Sequence, residues 1–241
     1  MNENSVTVSI VLVGCGAPLK SMGWYHAIQL LALEDDVNGG RLEYVVEPWF
    51  MSEVGKASPG GVEFHAFKHE LESTTDIQFL ARVEDVPAQL NNEPNTKRLA
   101  IISARTADNP HLFASCLEHL GCHAIFLEKP GASSVVELEL MQTKAAELGV
   151  TVYMGFNKNV SKYVTKTREY AKNHFGTNVT FLHNNNYNES DLNECFERNS
   201  EGILKNMAIH ELAIAVSFYG VTADNILTVV ADKEFSKCDY G

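Results

Sequence analysis

Through Met154, short apolar runs rich in β-branched residues alternate with stretches of helical periodicity. Val6–Val13 reads as a buried strand, and Trp24–Glu34 as the helix that follows it. Leu42–Val46 is a second strand, stopped by Glu47-Pro48. A glycine-rich stretch, Gly55–Gly61, comes next, and "DIQFLARVEDV" holds a further short strand. Arg98–Ala104, His123–Glu128 and Val150–Met154 read as strands. His111–Leu120 and Val135–Leu148 read as helices, closed by Gly121 and Gly149. Strands that alternate with helices demand crossover connections. They therefore build a parallel sheet covered by helices on both faces, a doubly wound Rossmann-type α/β fold.

The rhythm changes after Gly155, which sets the expected boundary: a first domain over residues 1–155 and a smaller α+β domain over 156–241. Ser161–His174 has the pattern of an amphipathic helix. Asn178–His183 and Asn225–Asp232 read as strands, and Ile203–Tyr219 as a long apolar helix. A polar, asparagine-rich loop, Asn184–Ser200, lies among them. Leu204, Met207, Ala208, Leu212, Ala215, Val216 and Tyr219 form the apolar face expected to lie in the core.

The first βα turn carries the chemistry. Gly14 and Gly16 follow the first strand, but Leu19 stands where G-x-G-x-x-G requires its third glycine, and the next glycine is Gly23. Such a turn lets a pyrophosphate meet free backbone N–H groups at a helix start. The spacing here reads as a loop four residues longer, with Lys20 inside the extra residues and Trp24 close by. The bland alternative is a glycine-rich connector with no ligand. Glu47 ends "LEYVVE", where this fold places the acid that receives the adenosine ribose hydroxyls. A carboxylate there repels a 2′-phosphate, and no arginine follows it nearby in sequence. The expected cofactor is therefore NAD rather than NADP.

Composition narrows the partners. There are 31 acidic and 19 basic side chains, a net charge of −12, which disfavours nucleic acid and anionic membrane surfaces. Five cysteines without ligand spacing point to reduced thiols and no metal. No apolar run approaches membrane-spanning length and no secretory signal precedes the first strand, so a cytoplasmic protein is expected.

Three later stretches, "FLEKP" (Phe126–Pro130), "VYMGFNKN" (Val152–Asn159) and "GILKNMAIHELAIAVSFYG" (Gly202–Gly220), resemble in order and spacing the glucose–fructose oxidoreductase/inositol 2-dehydrogenase (Gfo/Idh/MocA) family. The resemblance implies hydride transfer between a nicotinamide cofactor and a secondary alcohol or ketone of a sugar- or polyol-like substrate. It implies that Lys129 and His210 are catalytic and that Glu128 and Lys129 lie beside the cofactor. It also makes Lys129–Pro130 a candidate cis bond. A histidine near neutral pKa can take the hydroxyl proton, and a lysine can stabilise developing alkoxide. The family's acid four residues before the histidine is Asn206 here, an amide that can orient a hydroxyl but holds no charge. The family's Thr-Pro after the Arg98–Ala104 strand is replaced by Ala104-Arg105. Asn157, Lys158 and Arg105 are the expected substrate contacts.

His210 also reads as an interior structural histidine, and His26 as a helix-start residue near the cofactor. The departure at Asn206 keeps a second function open, a non-catalytic dinucleotide-binding sensor or partner protein. Members of the family continue well beyond the point corresponding to Gly241, so the sequence is expected to be C-terminally truncated, and a longer version to form homo-oligomers.

Overall fold

A computed structural model of the chain describes residues 6–33, 40–88, 95–180, 202 and 204–230. The chain divides into two compact units, Met1–Gly155 and Phe156–Gly241.

The first unit is one six-stranded parallel sheet. Its strands are β1 (Thr7–Val13), β2 (Gly40–Val46), β3 (Gln78–Leu80), β4 (Thr96–Ile102), β5 (Ala124–Leu127) and β6 (Thr151–Met154), in the order β3-β2-β1-β4-β5-β6. This is the doubly wound Rossmann order, with its reversal between β1 and β4. The helices are α1 (Met22–Ala32), α2 (Glu53–Lys56), α3 (Pro59–Thr74), α4 (Asn109–His119) and α5 (Val135–Glu147).

Successive residues of a strand face opposite sides of its sheet. Along β1, Ile10 and Leu12 join one core with Ala27 of α1 and Phe64 of α3. Val11 and Val13 join the other, with Phe113 of α4 and Met141 of α5. A parallel sheet buried on both faces needs these unbroken apolar runs.

The stretch Gly55–Gly61 is not a glycine-rich connector but the junction of two helices. Ser58 caps α3 by accepting the Gly61 N–H at 3.0 Å, and Pro59 stands in the first turn. Serine at the cap followed by proline is a helix-start signal that the glycines masked.

The second unit begins with a 3₁₀ turn (Asn157–Val160) and α6 (Lys162–Asn173). A π-helical turn (Leu204–Ala208) leads into α7 (Ile209–Tyr219), closed by Gly220 in the left-handed conformation. Among the described residues it contains no strand. The expected strand Asn178–His183 is irregular over its first three residues, and the remainder, with the Asn184–Ser200 loop, lies outside the described residues. Of Asn225–Asp232, Asn225 closes a short 3₁₀ turn, residues 226–230 are irregular and the last two lie outside. β-branched alternation becomes a strand only when a neighbouring strand takes its hydrogen bonds, and the described residues supply none here.

The apolar face expected of the late helix is also redrawn. α7 buries Ala213 and Ile214 and packs against the 3₁₀ turn, whereas Leu212 is 54% exposed and Val216 and Tyr219 are also exposed. Apolar side chains run around more than one side of this helix, and packing chooses between them. No helix among the described residues is long and apolar enough to cross a membrane.

Candidate functional site

The parallel register brings five residues to one rim. Each lies one step beyond its strand and donates its N–H to the last carbonyl of the neighbouring strand: Glu47 to Leu80, Gly14 to Val46, Ser103 to Val13, Glu128 to Ile102 and Gly155 to Leu127, all at 2.8–2.9 Å. A crevice of about 930 Å³ opens beside this rim at the carboxyl ends of the strands, lined by Gly14, Gly16, Glu47, Arg105, Glu128 and Lys129 among others. Ligands of open α/β sheets bind at this place.

The glycine turn is built for close approach. Gly14 and Gly16 have φ of +84° and +71°, values open to glycine at little cost. A side chain on Gly14 would stand 2.7 Å from the Ala104 backbone. The extra residues close on themselves: the Ala17 carbonyl accepts the N–H groups of Lys20 and Ser21, and the Ala17 N–H is donated to Ser21 Oγ at 3.0 Å. Leu19 sits in the left-handed region at φ +61°. The longer loop is therefore an added turn.

Ser21 precedes α1 but gives it no side-chain cap, and no acidic residue stands in the first turn. The positive end of the helix dipole thus faces an uncapped start, which favours an anion. Gly23 stands where the fingerprint's third glycine serves close packing of the helix. It is buried within α1 and does not line the crevice, and a Cβ there would stand 2.0 Å from the Gly14 carbonyl oxygen. Its task is to press the helix onto the turn. Lys20 is likewise redirected, its ammonium paired with Glu63 at 3.1 Å.

Glu47 is only 4% exposed. One carboxylate oxygen accepts the Gly16 N–H at 2.7 Å, and the other accepts those of Trp49 and Phe50 at 3.2 and 3.4 Å. A carboxylate offers about four acceptor sites, and the backbone N–H groups of Gly16, Trp49, Phe50 and Cys15 all act on this one. Burial lifts this carboxyl above its ordinary pKa, and the backbone N–H groups draw it only part of the way back. The folded chain therefore holds the proton more tightly than the unfolded chain. Stability falls as pH climbs from the unfolded carboxylate pKa, about 4.3, through the raised folded value. Glu47→Gln removes that loss. The urea midpoint of the variant is expected to match wild type near pH 4 and to exceed it at pH 7; equal midpoints across that range would count against the burial argument.

At the other end of the rim, Glu128 pairs with His26 of α1, Nε2 to Oε1 at 2.8 Å, and the imidazole stands edge-on to Phe126. On its other side, the absence of a side chain at Gly155 makes room for Glu128, since a Cβ there would lie 2.9 Å from Oε2. Lys129 follows, partly buried and facing the crevice, and the Lys129–Pro130 bond is cis.

Arg105 lines the crevice. Its Nε donates to Asp108 at 2.8 Å and its guanidinium lies over the Trp49 ring, 5.4 Å from the centroid. Arg82, at the end of β3, also lines the crevice and pairs with Asp85 at 3.0 Å. Arginine is thus near Glu47 in space, though none follows it in sequence. Trp24, which follows Gly23 in the first turn of α1, packs edge-on against Tyr25 and Phe67. Trp49 and Phe50, which nothing in the motif spacing singled out, bring aromatic rings to the crevice.

The remaining candidate residues belong to the second unit. Asn157 and Lys158 lie in the 3₁₀ turn, and the Lys158 ammonium is paired with Glu211 of α7, which the motif reading passed over. Asn159 Nδ2 donates to Ser217 Oγ at 3.0 Å, fastening the same turn to the same helix. Asn206 lies in the π-helical turn and donates its backbone N–H to Gly202, and His210 is the second residue of α7; both are half-buried. Single π turns recur at functional positions in helices. Among the described residues no group of three or more His, Cys, Asp or Glu is placed to hold a metal, and Cys15, Cys116 and Cys122 are buried free thiols.

No family model matches the chain, and no curated protein matches its sequence. Solved structures match its fold. A probable dehydrogenase from Thermotoga maritima superposes with a TM-score of 0.56 at 18% identity, over 86% of this chain and 54% of that one. GenD2 from gentamicin A biosynthesis, solved with NAD, gives 0.50 at 18% identity, over 72% and 42%. A super-repressor mutant of Gal80p from Saccharomyces cerevisiae gives 0.53 at 16% identity, over 69% and 38%. The chain thus spans about half or less of each of these proteins. Its fold is the fold of these structures.

Proposed function

We propose that the crevice binds NAD and that the protein is an oxidoreductase of secondary alcohols or ketones on sugar- or polyol-like substrates. The observation that carries this reading is Glu47. It is a buried acid at the end of β2, tied to the glycine turn and lining the crevice. The turn itself fits a dinucleotide, since side chains at Gly14 and Gly16 would collide with their surroundings.

NAD is favoured over NADP because the Glu47 carboxylate repels a 2′-phosphate, while Arg82 and Arg105 each already hold a carboxylate partner. Bound NAD would supply the hydride acceptor, and its reduced form the donor. In the oxidation, His210 takes the hydroxyl proton as hydride leaves the same carbon. The family resemblance gives Lys129 the stabilisation of developing alkoxide by its charge. Asn206 orients the hydroxyl, and Asn157 and Lys158 serve the substrate from their turn.

Calorimetric titration with NADH tests the cofactor site. Wild type is expected to bind, and Glu47→Ala to bind roughly tenfold more weakly or worse, since hydrogen bonds to a charged group are lost. An absence of binding at millimolar NADH would end the reading.

A second reading has its own support. The fold is shared with a Gal80p super-repressor mutant, and the position of the family's acid is occupied by Asn206. On that reading the protein senses the dinucleotide without turning it over. NADH binding with no hydride transfer to or from a panel of sugars and polyols would select it.

A further inference from the structure

We propose that the outer face of α5 on one copy of the chain docks on the outer face of α6 on a second copy, glutamates against lysines and aliphatic side chains against tyrosines, to form a homodimer. No residue of either helix lines the crevice, so the inference does not depend on what the crevice binds.

Residues three and four apart share one side of a helix. On α5, Leu138, Met141 and Ala145 turn toward the core. That leaves Val136, Leu140, Thr143 and Glu147 on the outer side, with Glu139 beside them, all exposed. Val136 and Leu140 are 64% and 60% exposed. A single apolar side chain at a surface is ordinary, but these two stand one turn apart between carboxylates. α6 repeats the arrangement with the opposite charge. Val164 is its buried residue, and its outer side carries Lys162, Tyr163, Lys166 and Tyr170, all exposed. The Tyr163 ring is 85% exposed, and Tyr170 has one face stacked on His174.

Charge identifies the occupant. The stretch Phe156–Asn173 holds Lys158, Lys162, Lys166, Arg168 and Lys172 against Glu169 alone, within a chain of net charge −12. α5 holds Glu137, Glu139 and Glu147 against Lys144. Glu137 is engaged in the capping box with Ser134, whereas Glu139, Glu147, Lys162 and Lys166 form no ion pair among the described residues. Lys162 and Lys166 stand one turn apart, where like charges disfavour a helix. A facing carboxylate turns that repulsion into attraction. Tyrosine is favoured at protein interfaces because its ring is apolar and its tip polar, and Val136 with Leu140 offers the ring an apolar bed. One chain thus presents both halves of a complementary contact. A twofold axis makes it twice, α5 of each copy on α6 of the other.

Sedimentation velocity of the whole chain tests the contact. A monomer–dimer equilibrium is expected, roughly tenfold weaker in about 500 mM salt than in about 20 mM, because exposed charges are screened. Lys162→Glu with Lys166→Glu is expected to leave a monomer, and so is Glu139→Lys with Glu147→Lys. An equimolar mixture of these two double variants should associate again, since both contacts then join opposite charges. That recovery also shows both variants to be folded. Tyr163→Ala should weaken the wild-type dimer about tenfold. A chain that stays monomeric at about 100 μM in low salt would overturn the dimer, and binding of a polyglutamate peptide by that monomer would give α6 to an acidic partner instead. A dimer indifferent to salt and to both double variants, or a mixture that fails to associate, would overturn the pairing of α5 with α6.

Discussion

Lys129→Met is expected to lower turnover by about 10²–10⁴-fold while leaving the NADH dissociation constant within about twofold. Methionine keeps the length of the apolar stem and removes the charge, so packing at the rim is preserved. The neighbouring Glu128 is held by His26 on one side and by the close approach of Gly155 on the other. Neither contact involves the ammonium, which is why binding and chemistry should separate. His210→Asn is expected to produce a fall of similar size, together with loss of the limb of the pH–rate profile that reports the base. If both side chains serve one proton transfer, the double variant loses little more than the worse single one. The measurement is steady-state hydride transfer with whichever sugar or polyol wild type oxidises. Full turnover in Lys129→Met would remove the lysine from the mechanism. Additive losses would show that the two side chains serve separate steps.

The parts of this molecule that were legible in advance are those written in one stretch of chain. The six strands could be read because a sheet buried on both faces demands continuous apolar runs, and β1, β4 and β5 carry them. Gly14, Gly16 and Glu47 could be placed because each lies next to a strand end, and the register carries strand ends to a common rim. What depends on distant segments meeting was not legible. Arg105 and Trp49 are separated by more than fifty positions, and so no spacing rule joins them. The partnership of His26 with Glu128 arises in the same way, from a helix start and a strand end. The second unit was the least legible part. Its β-like sequences need partner strands that the described residues do not provide. Its long helix carries apolar residues on several sides, so periodicity alone could not say that Ala213 and Ile214 would be the buried pair.

Gly23→Ala is expected to be strongly disruptive, although it adds one methyl group and leaves the helix propensity better. The added Cβ would stand 2.0 Å from the Gly14 carbonyl oxygen and 2.7–2.8 Å from the Cys15 backbone. These are main-chain atoms that cannot rotate aside. Gly14 is itself held, with its N–H on Val46 and its Cα against Ala104. The helix must therefore move away from the turn, taking Ala27 out of its packing against the sheet and drawing the uncapped helix start away from the crevice. A loss of about 3 kcal/mol or more in stability is expected, with NADH binding weakened well beyond tenfold. Two companions make the cause plain. Gly121 has φ +56° and open space around it, so Gly121→Ala meets no atom and should cost only the left-handed backbone penalty of about 1–2 kcal/mol. Gly16→Ala meets the Ser21 side chain at 2.2–2.4 Å, an obstacle that Ser21→Gly removes. Adding Ser21→Gly should thus restore part of the stability lost by Gly16→Ala and none of that lost by Gly23→Ala. Urea unfolding of the set checks this ordering. A Gly23→Ala protein no less stable than Gly121→Ala would mean that the helix is not held against the turn, and the dipole that favours pyrophosphate would lose its place at the site.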